Sequence, residues 1–173
     1  MKVNIAILTV TDTRTFENDK SGAILVKKIE EASHNLVDRK ICKDEKKDIK
    51  KILQDWINKK DIDVIITTGG TGLTGRDITP EVMETLFEKS IDGFGEMFRS
   101  LSFSKIGTSA LQSRALAGVT KGTYIFCLPG SPSACKDGWD QILVHQLDIR
   151  HKPCNFVEIM PRLQEHEISR TKS

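Results

Sequence analysis

The chain of 173 residues carries 26 Lys and Arg against 24 Asp and Glu, a formal net charge of +2, with 38% hydrophobic and 6% aromatic residues. Basic residues interleaved with acids along helical stretches read as solvated faces and argue against a nucleic-acid footprint, and the apolar N-terminal run is too short for a secretory signal or a membrane span. Cys42, Cys127, Cys135 and Cys154 lie far apart, with no CxxC pair and no histidine in ligand spacing, so reduced thiols in a cytoplasmic protein are expected instead of a zinc site or a disulfide framework.

Residues 3–11 read as a first strand, 21–32 as an amphipathic helix whose start is marked by Asp19 and Ser21, and 35–42 as a short second strand. A second helix over 46–58 places Ile49, Ile52, Leu53, Trp56 and Ile57 on one face. Residues 64–68 are apolar or β-branched and too few for a helix, as in a strand covered on both sides. A glycine- and threonine-rich turn follows, and then a helix start with Thr79 as N-cap, Pro80 at the first helical position, and Glu81 and Glu84 in the first turn. That helix is expected to reach Lys89. The pattern loosens over 92–96, and 97–102 reads as a short helix. Strands over 113–119 and 123–128 are close enough for an antiparallel hairpin. Pro129-Gly130-Ser131-Pro132 then opens a helix of about four turns. From Met160 the chain is polar and aperiodic and is expected to fray.

Strand and helix alternate, which implies right-handed βαβ units. The expected fold is α/β: a three-layer αβα sandwich on a mostly parallel sheet with one antiparallel edge strand or hairpin. One domain spans 1–160, with a polar, flexible tail over 161–173.

Gly69, Gly70, Gly72 and Gly75 let the backbone turn and bring N–H groups close to an anion. The turn is neither a P-loop nor a strict dinucleotide fingerprint, and a tight connection with no ligand is the plain alternative. Three other segments reach the same carboxyl edge of the sheet, where ligands of open α/β folds bind. They are Thr11-Asp12-Thr13-Arg14, Cys42-Lys43-Asp44-Glu45 and Leu128-Pro129-Gly130-Ser131. Asp44 and Asp77 then become two carboxylates at neighbouring strand ends, suited to holding Mg²⁺ together with substrate phosphates; Asp44 could equally cap a helix. Arg76 could pair with phosphate or lie on the surface. Ser131 could face an anion or serve only as a cap, and Glu96 could accept from an amino-heterocycle or solvate a loop. His34, His145, His151 and His166 show no catalytic context. The run Phe94, Met97, Phe98, Leu101 and Phe103 is either core or a subunit contact.

Thr-Thr-Gly-Gly-Thr-Gly from Thr67, Arg-Asp-Ile-Thr-Pro-Glu from Arg76, Gly-Phe-Gly-Glu from Gly93, Ser113-Arg114 and Leu-Pro-Gly-Ser-Pro from Leu128 follow one another in the order of a known family. Together they resemble the molybdopterin adenylyltransferases and their relatives (the MoaB/MogA type). Asp19-Lys20-Ser21-Gly22, residues 101–114 and Pro153-Cys154-Asn155-Phe156 are more similar to the protein B branch. The resemblance implies a role in molybdenum cofactor biosynthesis, in which the terminal phosphate of molybdopterin attacks the α-phosphate of Mg-ATP and releases pyrophosphate. It places the two family acids on Asp44 and Asp77, as catalytic and metal-binding groups. Thr11, Asp12, Ser21, Gly22, Gly69, Gly70, Thr71, Gly72 and Thr79 fall on the nucleotide and phosphate side, and Glu96, Ser113, Arg114, Gly130 and Ser131 on the pterin side. It implies ATP as substrate without a permanently bound cofactor, a trimer or hexamer, and contact with a molybdenum-insertion enzyme. Some protein B relatives lack the activity and carry altered acids at these positions, so a non-catalytic pterin-binding or delivery module is the competing reading. The third reading is an unrelated nucleotide-binding α/β domain.

Overall fold

A computed structural model describes residues 1–166. In chain order it contains β1 (Asn4–Val10), α1 (Lys20–Glu31), β2 (Asn35–Cys42), α2 (Lys46–Ile57), β3 (Val64–Thr68), α3 (Thr79–Glu84), β4 (Lys89–Ser90), α4 (Asp92–Ile106), β5 (Leu116–Thr120), β6 (Thr123–Leu128), α5 (Pro132–Gly138), α6 (Val144–Gln146) and α7 (Phe156–Ile159). The six strands form one sheet in the order β2-β1-β3-β6-β5-β4. The first four are parallel, β5 runs antiparallel to β6 and β4 antiparallel to β5. The mixed sheet and its hairpin are as expected; the edge strand itself is the two-residue β4.

Alternation along the central strands builds both faces. Ile5 and Ile7 of β1, Val64 and Ile66 of β3, and Tyr124, Phe126 and Leu128 of β6 share one core with Leu25 and Ile29 of α1, Phe94 and Phe98 of α4, and Trp139. Ala6 and Leu8, Ile65, and Ile125 and Cys127 point the other way, onto Ile49, Leu53 and Trp56 of α2 and Val82 and Met83 of α3. Strands covered on both faces explain the unbroken apolar runs. The four-turn helix after Ser131 runs through α5, a π-helical stretch at Trp139–Leu143, and α6.

Three expectations need correction. The helix from Pro80 ends at Glu84, because Phe87 is needed over the sheet: a Cβ on Gly118 of β5 would meet the Phe87 ring at 2.3 Å. Glu88 N–H then donates to Val119 O and Ile91 N–H to Ala117 O, which draws Lys89–Ser90 in as β4. The loosened stretch over 92–96 is already the first turn of the fifteen-residue α4. Gly95 there allows close approach to β5, since a Cβ would lie 2.6 Å from Ala115 O; packing overrides the poor helix propensity of two glycines. Finally, the fraying expected from Met160 is absent in its first residues. Met160–Arg162 forms a 3₁₀ turn, and Met160 and Leu163 pack on the core. Residues 167–173 of the expected tail lie outside the described residues. Of the apolar run on α4, Phe94 and Phe98 are core, whereas Met97 and Phe103 are exposed.

The start of α1 is pinned by a buried carboxylate. Asp19, only 1% exposed, caps the helix by accepting from Gly22 N–H at 2.9 Å, and accepts also from Thr9 Oγ1 at 2.7 Å and Arg39 Nη2 at 2.9 Å. Burial alone would raise its pKa, but the Gly22, Arg39 and Thr9 hydrogen bonds outweigh it and hold the carboxyl below its ordinary range. Asp19→Ala strands Arg39 in a partly buried site and should lower unfolding free energy in urea by about 3 kcal/mol. Because the folded-state pKa is lowered, this stabilisation is complete above the ordinary aspartate value and is lost as pH falls through the lowered one. The gap between parent and variant should therefore close under acid; equal urea midpoints at pH 7 would contradict the assignment.

Candidate functional site

Four loops meet at the carboxyl ends of β1, β2, β3 and β6. The chain leaves β1 and β3 on opposite sides of the sheet, the switch-point geometry at which α/β folds open a crevice. Gly69 (φ +98°) and Gly70 (φ +64°) take left-handed backbone conformations. A Cβ on Gly69 would stand 2.1 Å from Val10 O, and one on Gly70 would stand 2.2 Å from Thr79 Oγ1 and 2.3 Å from Asp44 Oδ1. Gly130 in turn packs on Gly69, with a Cβ there 3.1 Å from its Cα. The turn therefore lies flat against the loops from β1, β2 and β6.

Asp44 and Asp77 flank this turn, as expected, in contrasting environments. Asp44 does not cap α2: Glu45 holds the N-cap position, with no side-chain cap bond. Asp44 Oδ1 is shut off from solvent and has no hydrogen-bond partner. Burial, with Asp12 and Asp77 nearby, pushes the Asp44 carboxyl up. Asp77 accepts from Thr74 Oγ1 at 2.5 Å and Thr74 N–H at 3.1 Å. Those bonds, against some burial, hold its carboxyl low. One acid is settled and the other is left without compensation, a pattern that marks functional carboxylates.

Thr79 is not the N-cap of α3; Ile78 holds that place, and the Thr79 hydroxyl is buried beside Gly70 with no partner. Thr11 and Asp12 do reach the site. Thr11 Oγ1 accepts from Thr13 and Arg14 N–H at 3.3 Å, and Asp12 Oδ1 accepts from Asp44 N–H at 3.2 Å. Ser21 Oγ donates to Gly130 O at 2.7 Å and accepts from Arg14 Nη1 at 3.1 Å, tying the β1 loop to the β6 loop. Gly22 is set back, its N–H held by Asp19, and a Cβ there would meet Asp19 Oδ2 at 2.1 Å. It serves packing at the start of α1.

Beside the turn lies a cavity of about 640 Å³ lined by Thr71, Gly72, Ser113, Gly130 and Ser131, with Phe98 and Ile106 on its apolar side. Its size and mixed lining suit a small heterocycle. Ser113 Oγ is buried there without a partner. Ser131 Oγ caps α5 by accepting from Ala134 N–H at 3.1 Å. Glu96 is elsewhere, in a separate cavity of about 430 Å³ with Glu81, Glu84 and Arg99. Gly95 beside it accommodates Ala115 and Arg99, whereas Gly93 faces open space. Arg114 braces the turn from behind: Nε donates to Thr71 O at 3.1 Å, and Nη2 donates to Gly72 O at 2.6 Å and Asp77 O at 3.0 Å. Its Nη1 pairs with Glu81. Sequence reasoning missed Lys105, Lys136, Asp137 and Gln112 on the larger cavity. Ending the α4 helix at residue 102 hid Lys105; the i to i+4 spacing of Leu101 and Lys105 was the available signal.

Among the described residues no group of three or more His, Cys, Asp or Glu is arranged to hold a metal ion. The donors present instead fit Mg²⁺, which is usually held through one or two carboxylates together with substrate phosphates. The orphaned Asp44 Oδ1 is such a donor. Burial pushes the Cys42 and Cys127 thiols up to about 12 and Cys135 to about 11, so none is a ready nucleophile or ligand. No helix among the described residues is long and apolar enough to cross a membrane.

Residues 6–149 match the family model described as "Probable molybdopterin binding domain". The chain is 49% identical over 152 residues to Molybdenum cofactor biosynthesis protein B of Escherichia coli (strain K12), covering 88% of this chain and 89% of that protein. A crystal structure of Molybdenum cofactor biosynthesis protein B superposes with a TM-score of 0.83 at 40% identity, over 85% of this chain and 92% of the other. The tungsten cofactor synthesizing protein MoaB from Pyrococcus furiosus gives 0.75 at 36% identity, over 82% and 91%. With a continuous match across both halves of the sheet and through the glycine turn, the chain belongs to the molybdenum cofactor biosynthesis protein B family.

Proposed function

We propose that this chain acts in molybdenum cofactor biosynthesis as a Mg²⁺-dependent adenylyltransferase, transferring AMP from ATP to the terminal phosphate of molybdopterin. The observation that carries the reading is Asp44: a partly buried carboxylate with an unpartnered oxygen, opposite Asp77 across a turn with no room for a Cβ at Gly69 or Gly70. In the reaction, a terminal phosphate oxygen of molybdopterin forms a bond to the α-phosphorus of ATP. The bond from that phosphorus to the bridging oxygen of the β-phosphate breaks, and pyrophosphate leaves. Such transfers need positioning and charge neutralisation more than covalent catalysis. A bound Mg²⁺ would offset negative charge on the reacting phosphates.

The chain's residues divide this work. Gly70 to Gly72 and the Thr79 hydroxyl lie where nucleotide phosphates can approach the backbone, and Asp44 and Asp77 supply the anionic donors for the cation. The cavity beside Thr71 takes the pterin, with Ser113 Oγ as an unengaged donor or acceptor on its wall. Lys105 and Lys136 add positive charge at its rim, suited to an anionic ligand, although Lys105 is paired with Asp137 and Lys136 with Asp140. Exposed Met97, Phe103, Ile106 and Leu111 on and after α4 provide an apolar surface for self-association into a trimer or hexamer. The same reading places the protein in the cytoplasm, in contact with a molybdenum-insertion enzyme.

The test is pyrophosphate release from purified protein supplied with molybdopterin, ATP and Mg²⁺. Asp44→Ala and Asp77→Ala should each abolish release while leaving pterin binding near the parent level. A parent protein that retains pterin yet releases no pyrophosphate is a binding or delivery module, and the transferase reading fails. Asp44→Asn should also raise the thermal midpoint of the ligand-free protein, because it relieves an uncompensated charge at neutral pH. A lowered midpoint would show that Asp44 stabilises the fold. Light scattering should show a trimer or hexamer, and Phe103→Glu should shift it toward smaller species; a monomeric parent contradicts the oligomer.

A further inference from the structure

At the acidic end of the site, Arg76 hydrogen-bonds two carboxylates. Arg76, between Gly75 and the pinned Asp77, extends across to the loop after β1 and to the N-cap residue of α2. Its Nε donates to Asp12 Oδ2 at 3.1 Å, its Nη2 to Asp12 Oδ1 at 3.0 Å, and its Nη1 to Glu45 Oε1 at 2.9 Å. Asp12 in turn accepts from the backbone N–H of Asp44. Asp12, Asp44, Glu45 and Asp77 are thus gathered around the turn, and Arg76 is the guanidinium that faces them from the front; Arg114 lies behind, bound to carbonyl oxygens of the turn. Lys43 also acts on Asp12 from the β2 loop.

This arrangement poses a problem for a phosphate site. Asp12 stands at the edge where phosphate must arrive, yet a carboxylate repels phosphate. Arg76 resolves it, because its planar fork can serve carboxylate and phosphate equally well. The side chain is 56% exposed, and exposed ion pairs contribute little, so releasing Asp12 and Glu45 is not costly. The backbone need not move: Asp77 is anchored by Thr74, and the space around Gly75 is open.

We propose that Arg76 is the resident counter-ion of the acidic cluster and exchanges Asp12 and Glu45 for nucleotide phosphate, coupling phosphate binding to divalent-cation binding at Asp44 and Asp77. The proposal rests on the phosphate-binding reading of the glycine turn. With Arg76 on the carboxylates, the cluster is partly neutralised and attracts a cation weakly. Once Arg76 turns to phosphate, Asp12 and Glu45 are released, and Asp44 faces both without the Arg76 counter-charge, beside Asp77. Cation affinity then rises, and by reciprocity a bound cation favours phosphate.

Two equilibrium titrations on the ligand-free protein test this, with Arg76→Gln and Arg76→Lys beside the parent. One follows Mn²⁺ alone by electron paramagnetic resonance. The other follows ATP in the presence of EDTA by calorimetry. Arg76→Gln should bind Mn²⁺ about tenfold more tightly and metal-free ATP about tenfold more weakly than the parent. Arg76→Lys, which keeps the charge, should restore the parent's Mn²⁺ affinity. Opposite shifts are the signature, since simple damage to the site weakens both ligands. Unchanged or weaker Mn²⁺ binding in Arg76→Gln, unchanged ATP binding, or no Mn²⁺ or ATP binding by the parent would each overturn the exchange. Neither titration needs pterin or turnover. A failed exchange therefore leaves parental pyrophosphate release as evidence for the transferase, and absent release leaves opposite shifts as evidence for the exchange.

Discussion

A carboxylate withdrawn from water without a hydrogen-bond partner is unfavourable, and the loops at the carboxyl edge of this sheet are organised around one such group. Asp44 Oδ1 has no donor, and its neighbours Asp12 and Asp77 repel it further. A fold that needed only stability would place an asparagine or a helix cap there. The conflict persists because the rest of the structure over-determines it: β2 delivers Asp44 to the switch point, and α2 takes its N-cap from Glu45 instead. What would relieve the conflict is a cation, and a cation at that spot is what the proposed phosphate transfer on the adjoining turn would use.

Close backbone packing makes this possible. Gly69 lies against Val10 O, Gly70 against Asp44 and Thr79, and Gly130 against Gly69, so loops from four strands share a space with no room for a Cβ at Gly69 or Gly70 and little at Gly130. Behind them Arg114 ties Thr71, Gly72 and Asp77 into one body through their carbonyl oxygens. Rigidity at the turn contrasts with the exposed Arg76 in front of it. In the proposed exchange, the fixed cradle is paired with one exposed charge that can turn from carboxylate to phosphate.

The sequence reveals the central strands well, because β1 and β3 carry nearly continuous apolar or β-branched runs whose ends are marked by polar or glycine residues. It also revealed that Asp44 and Asp77 would approach each other, since both follow strands of one parallel sheet. Tertiary packing concealed the remainder. The end of α3 depends on Phe87 fitting over Gly118, a contact thirty-one positions away in the chain, and the first turn of α4 carries Gly95 because Ala115 O lies against it. Arg114 read as a ligand-binding residue, yet its guanidinium braces the turn. Glu96 read as lying on the pterin side with Ser113 and Ser131, yet it lines a cavity separate from theirs. Charged side chains are hard to assign from sequence for this reason: an arginine near a loop looks the same whether it faces the ligand or the backbone.

The central claim is that Asp44 awaits a divalent cation shared with nucleotide phosphate. Anomalous scattering from crystals grown with Mn²⁺ and a non-hydrolysable ATP analogue tests it most directly. The account predicts one Mn²⁺ peak at about 2.1 Å from an Asp44 carboxylate oxygen and from a phosphate oxygen of the analogue. A bound analogue with no peak at Asp44, or with the metal held only by groups elsewhere, would contradict it.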